Sequence, residues 1–185
     1  MTDCCKSKQV KETEYFHMHK YDIRTGASSL RTMERVFDEY DVGRLSLMGE
    51  EYPYIIPMNH YYKDGKFYWH TAFVGKKHLL LKRNPKACYL VDMPVKPLER
   101  GERYFHNPWL SIICYGVVDE MEDPEEKLPI LQAYSKRQLG PPVKLERAKT
   151  TNVMRFTIEK ATGRYGRYTP AERRSLLYWD FTKTV

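Results

Sequence analysis

Residues 54–70 constrain the fold more than any other part of the chain. Tyr54-Ile55-Ile56-Pro57-Met58-Asn59-His60-Tyr61-Tyr62 is rich in aromatic and β-branched side chains, which favour a pleated, half-buried strand. Lys63-Asp64-Gly65-Lys66 follows, and an Asp-Gly pair between two such runs is a tight-turn signal. Phe67-Tyr68-Trp69-His70 therefore returns as the second arm of a hairpin. A hairpin makes the sheet antiparallel at this point, and the rest of the chain has to extend it.

The flanking segments do so. Leu30, Met33, Phe37 and Tyr40 recur at helical spacing, with Ser28 or Ser29 as cap and Gly43 as the expected stop. Arg44–Met48 alternates as a strand. Gly75–Arg83 reads as a short helix stopped at Asn84 by Pro85. Lys86–Asp92, Ser111–Val118 and Val153–Lys160 read as three further strands. Asp123-Pro124-Glu125-Glu126 is a helix start, with Asp as cap and Pro at the first helical position; Pro129 is expected to break or kink that helix. Strands joined by hairpins, with few helices, predict a mainly β fold with an antiparallel sheet or barrel. Gly-x-Gly-x-x-Gly and the phosphate loop of nucleotide hydrolases are both missing, so a dinucleotide-binding Rossmann unit is set aside.

The 185 residues fit one domain, 1–185, with a polar arm at 1–25 and a basic tail at 164–185. The net charge is +7, from 31 Lys plus Arg against 24 Asp plus Glu. It is uneven: residues 1–135 sum to −1 and residues 136–185 to +8. A basic segment suits a polyanion or a plain solvated surface. No apolar run reaches the ~18 residues of a membrane helix. The opening residues Met1–Lys6 lack an apolar signal segment, so a cytoplasmic location is expected. No Cys-x-x-Cys occurs, and Cys88 and Cys114 lie in apolar runs as buried free thiols. His17 and His19 share one side of an extended segment, but nothing nearby completes a metal set, and no metal is expected.

One constellation carries chemistry. Thr71 offers a hydroxyl at the end of the hairpin, Gly75 permits close backbone approach, and Lys76 and Lys77 stand at the mouth of a helix with unpaired N–H groups. Together these make a phosphate site. A solvated lysine pair on an ordinary helix fits the same residues.

The run YPYIIPMNHYYKDGKFYWHTAFVGKKHLLLKRNPKACYLVD resembles the core of the flavin-binding split-barrel family of the pyridoxamine 5′-phosphate oxidases, in its nitroimidazole reductase-like branch. The likeness continues through Trp109–Gly116 and the helix start at Asp123, and returns at Ile158–Gly163. The resemblance implies a six-stranded antiparallel split barrel that pairs as a homodimer, with flavin mononucleotide (FMN) in clefts at the subunit interface. It implies that Thr71, Lys76 and Lys77 hold the flavin phosphate, and that Ile56, Pro57, Met58 and Asn59 run along the isoalloxazine edge. It further implies His70 near phosphate and ring, Ser111 facing the flavin, and Trp109 stacking near it, although a plain core aromatic fits Trp109 as well. The activity implied is reduction of a small acceptor such as a nitroimidazole by NAD(P)H. Asn59 or backbone N–H groups would stabilise charge on the reduced ring, and His70 would donate a proton or simply hydrogen-bond. The carboxy-terminal Arg- and His-containing motif of the true vitamin B6 oxidases has no counterpart at Gly163–Arg167 or Arg173–Ser175, which argues against that substrate. The alternatives are a non-catalytic flavin- or haem-binding protein on the same barrel, and a polyanion-binding module.

Overall fold

The computed structural model describes residues 16–19, 27–92 and 109–166. In chain order the elements are β1 (Phe16–His19), α1 (Ala27–Glu39), β2 (Val42–Leu47), β3 (Tyr54–Asn59), β4 (Tyr61–Lys63), β5 (Lys66–Thr71), α2 (Lys76–Arg83) and β6 (Lys86–Asp92). Then come β7 (Trp109–Met121), α3 (Pro124–Arg137), α4 (Leu145–Lys149) and β8 (Asn152–Gly166). One sheet runs in the order β3-β2-β6-β7-β8-β5-β4, antiparallel throughout, and β1 adds to β8 in parallel.

The fold is mainly β, as expected, but the sheet holds seven strands along its path and β1 beside it, not six. The extra strand comes from the run 54–62, which is not one strand. His60 interrupts it, so that β3 pairs only with β2 and β4 only with β5. These are the opposite edges of the sheet. A single residue thus bridges both edges, which forces the sheet to curl into a split barrel.

His60 is fully buried, and its two ring nitrogens are fixed. Nε2 donates to the Phe37 carbonyl at 2.9 Å, and Nδ1 lies 2.9 Å from the Tyr89 hydroxyl. The single proton of that hydroxyl is shared between Nδ1 and the Met58 carbonyl, which also lies 2.9 Å from it. The His60 amide meets the Asp41 carbonyl at 2.8 Å. The corner is therefore tied to α1, to β6 and to the loop before β2. Around it the rings of Phe37, Phe67, Trp69, Tyr89 and Phe156 interlock, with Phe37–Phe67 and His60–Phe67 edge-to-face at 4.8 and 4.7 Å.

Gly43 is not the helix stop. α1 ends at Glu39, and Gly43 sits inside β2 opposite Met58. A Cβ at this position would stand 2.4 Å from the Tyr89 ring, so only glycine lets Tyr89 reach the corner. The hairpin turn falls where expected, with Asp64 and Gly65 at φ 49° and 74° and Lys63 opposite Lys66. β6 matches its predicted limits, and α2 ends at Arg83 as predicted but starts one residue later, at Lys76.

Pro129 does not break α3, which runs on to Arg137. The amide it lacks would have met the carbonyl of Glu125; both residues are exposed, so water can take that carbonyl. Asp123 caps the helix by accepting from the Glu125 amide at 2.9 Å. The polar arm contains β1, paired with Ala161–Arg164, and β8 extends beyond Lys160 to Gly166 because β1 and β7 both offer it partners. A second, smaller core of Tyr68, Met121, Ile130, Leu131, Ala148 and Val153 seats α3 and α4 on the barrel. Cys114 is buried and Cys88 half-buried, both as free thiols. Residues 167–185 of the basic tail lie outside the described residues.

Burial pushes the His60 imidazole down to about 4 from its usual 6.5. A group held neutral in this way stabilises the fold fully above pH 6.5, and that contribution is lost as pH falls from 6.5 toward 4. Urea midpoints should therefore drop across this window by the equivalent of up to about 3 kcal/mol. His60→Gln should be less stable at pH 7 and show a shallower pH slope; an unchanged slope contradicts the account.

Candidate functional site: a pocket in the barrel seam

The split between the barrel's two edges is open at one end. β4 is short, and its last partner on β5 is Tyr68, opposite Tyr61. From Trp69 to Thr71, β5 pairs only with β8, and the outer edge of β3 has no strand partner among the described residues. A pocket of about 330 Å³ lies in this seam, lined by Pro57, Met58, Asn59, His70, Thr71 and Lys77. Strand alternation explains the set. Pro57 and Asn59 point outward on β3 while Ile56 and Met58 turn toward the core.

Thr71 ends β5 with its hydroxyl donating to the Ala72 carbonyl at 2.7 Å. Its oxygen also lies 3.2 Å from Nε2 of His78, which is buried on α2. Gly75, at φ 133°, opens α2 in a conformation side chains rarely adopt, and no side chain caps the helix. The His78 amide donates to the Gly75 carbonyl at 3.0 Å, which leaves the Lys76 and Lys77 amides for another partner. Burial holds the Lys77 ammonium somewhat below its usual range.

The two lysines part company. Lys76 turns to the other side of α2, where its Nζ lies 5.3 Å over the Tyr54 ring and it lines a separate cavity with Glu50, Glu51 and Arg83. Consecutive helical residues point about 100° apart, so a pair cannot both face one pocket.

α3 backs the pocket through His70, a contact that the sequence does not reveal. The Tyr134 ring packs edge-to-face on His70 at 5.0 Å. Burial raises the Tyr134 phenol, and its hydrogen bond with the Asn59 side chain offsets part of this. Arg137, one turn on, pairs with Asp38 and Asp41 and anchors that end of α3 beside the corner. Tyr134 is legible in sequence only as an apolar helix position; its role follows from the packing of α3.

Four expected residues do not line the pocket: Lys76, Ile56, which turns toward the core, and Ser111 and Trp109 on β7. Ser111 lies on β7 opposite Asp92, which pairs with Arg44. It is on the same outer sheet face as Pro57 but three strands away, on the order of 14 Å at ~4.8 Å per strand. Trp109 is the first residue of β7, opposite Gly166. His17 and His19 lie on β1, opposite Thr162 and Arg164.

The family model for pyridoxamine 5′-phosphate oxidase matches residues 29–165, which include every element from β2 to α4. The chain belongs to the pyridoxamine 5′-phosphate oxidase family. Its fold is shared with solved structures of low identity. A candidate 5-nitroimidazole antibiotic resistance protein from Bacteroides thetaiotaomicron is 23% identical at a TM-score of 0.61, covering 72% of this chain and 81% of its own. An FAD-binding protein from Mesorhizobium loti is 24% identical at 0.55, covering 75% and 94%. The FAD and haem binding protein from Mycobacterium smegmatis is 12% identical at 0.62, covering 78% and 74%. At these identities the likeness is one of fold. No curated protein sequence matches the chain.

The pocket predicts an asymmetry between the lysines. Lys77→Ala should weaken the binding of FMN by about 1.5–3 kcal/mol, the size of a charge-assisted hydrogen bond. Lys76→Ala, which removes a charge outside the pocket, should cost under ~1 kcal/mol. Isothermal titration with FMN measures both, and equal losses contradict the assignment.

Proposed function

We propose that the seam pocket holds the phosphate end of FMN and that the protein is a flavin-dependent oxidoreductase. The observation that carries this is the convergence of Pro57–Asn59, His70–Thr71 and Lys77, from three separate elements, on one small pocket. The residue chemistry fits the group. A phosphate dianion only accepts hydrogen bonds, and the pocket offers a hydroxyl, an ammonium, an amide side chain and uncapped helix N–H groups.

When bound, the flavin would carry two electrons from NAD(P)H to a small acceptor such as a nitroimidazole. The chain's own residues have simpler tasks. Thr71 and Lys77 neutralise and orient the phosphate. Asn59 offers an amide N–H where negative charge would develop on a reduced ring lying along β3. His70 stands exposed at the pocket rim, oriented by Tyr134, where it can hydrogen-bond a ligand or hand over a proton.

A homodimer is part of the proposal. Ile55, Cys88 and Tyr115 form one row across the outer faces of β3, β6 and β7, with Ser46 between them; Pro57, Arg44, Leu90 and Ile113 form the next. Ile55, Ile113 and Tyr115 are exposed, so a largely apolar face runs continuously into the pocket. A second copy seated there would cover the remainder of the flavin and bring Ser111 and Trp109 within its reach. Among the described residues no helix is long and apolar enough to cross a membrane.

Absorbance near 450 nm in purified or flavin-loaded protein, roughly the usual oxidised-flavin band, is the first expected result. The second is bleaching by NADH or NADPH and recovery on adding a nitroimidazole. Protein that takes up no flavin overturns the reading. Protein that binds flavin or haem yet is not reduced by either nicotinamide points instead to a carrier.

A further inference from the structure

We propose that His78 and Asn152 are positioning residues that let the Thr71 hydroxyl turn its proton from the Ala72 carbonyl to a phosphate; the inference rests on the flavin-phosphate reading above. A threonine hydroxyl has one proton and two lone pairs, and it helps a phosphate dianion only by donating. Left to itself beside a bare imidazole nitrogen, Thr71 would spend its proton there. The geometry prevents this. With the Thr71 proton on the Ala72 carbonyl at 2.7 Å, a hydrogen bond with His78 Nε2, 3.2 Å away, runs from a protonated Nε2 to the Thr71 oxygen. His78 is 8% exposed, between Lys77 and the buried Leu80 and Leu81, so its ring is held in place.

The Ala72 carbonyl poses the second problem, since turning the Thr71 proton toward a ligand would abandon it. Asn152 supplies the substitute. It sits directly opposite Thr71 on β8, is 2% exposed, and its Nδ2 already donates to the Ala72 carbonyl at 3.4 Å. Its Oδ1 is buried without a partner, so the side-chain hydrogen bond of Asn152 is the one it donates to Ala72. When the hydroxyl rotates to the phosphate, Ala72 keeps one hydrogen bond and the long Asn152 contact can shorten. Neither His78 nor Asn152 lines the pocket; both act through Thr71.

The test compares FMN with riboflavin, which carries the same ring without the phosphate, by titration of the full chain. The wild type should prefer FMN. His78→Leu and Asn152→Leu should each reduce that preference by roughly tenfold, the worth of one charge-assisted hydrogen bond, and leave riboflavin affinity unchanged. In a Thr71→Val background, His78→Leu should have no further effect on the preference. Where leucine prevents folding, two amides serve. His78→Gln places an N–H close to the Nε2 position and should keep the preference, whereas the shorter His78→Asn should lose it. Equal losses for FMN and riboflavin, or a full preference in every variant, overturn the inference. A wild type that does not distinguish the two flavins overturns the phosphate reading itself.

Discussion

The barrel hangs on one buried imidazole. His60 is the single residue between β3 and β4, which lie at opposite edges of the sheet, so its conformation decides whether those edges face each other. No ladder of backbone hydrogen bonds joins them. The work is done instead by the bonds of His60 to Phe37, Tyr89 and Asp41 and by the aromatic rings packed around them. A buried polar group stabilises only while it is satisfied. This explains why the neutral ring matters and why Gly43 is needed: any side chain there would push Tyr89 off the corner.

The functional pocket is a by-product of the same constraint. A sheet closed by a corner is closed at that corner alone, and the seam beyond it opens. Tyr89 grips the Met58 carbonyl from the inside, while Pro57 and Asn59 on either side face the seam. β5 enters the seam from the other edge and delivers His70 and Thr71, and the turn at Gly75 aims α2 and Lys77 back across it. Polar groups that a closed barrel would have bonded to a strand are thereby left for a ligand. Stability is concentrated on one side of Met58 and binding capacity on the other.

Much of this was legible in the sequence, because local chemistry dominates locally. The Asp64-Gly65 turn, the limits of α2 and β6, and the cap at Asp123 are each set by residues within a few positions. Three of the six pocket-lining residues, Pro57, Met58 and Asn59, follow from the resemblance through β3; Thr71 and Lys77 follow from the hydroxyl-glycine-lysine pattern as well as the resemblance, and His70 from the resemblance alone. The misses are all non-local. Nothing in the run 54–62 says that His60 is a corner, since its partners lie 23 and 29 positions away. Gly43 read as a helix stop because its reason, the Tyr89 ring, arrives from β6. Lys76 and Lys77 were treated as a pair because sequence adjacency hides the turn of the helix, and Tyr134 and His78 looked like ordinary helix positions. Pro129 was over-weighted because an exposed carbonyl can turn to water.

The central claim is that one end of a flavin is held in the seam by Thr71 and Lys77. The most direct measurement is a crystal structure of the full chain grown with FMN. The account predicts the phosphate within hydrogen-bond distance of Thr71 Oγ1 and Lys77 Nζ, with the ring extending along β3. A phosphate resting on Lys76, or a flavin bound elsewhere on the molecule with the seam left to solvent, would contradict it.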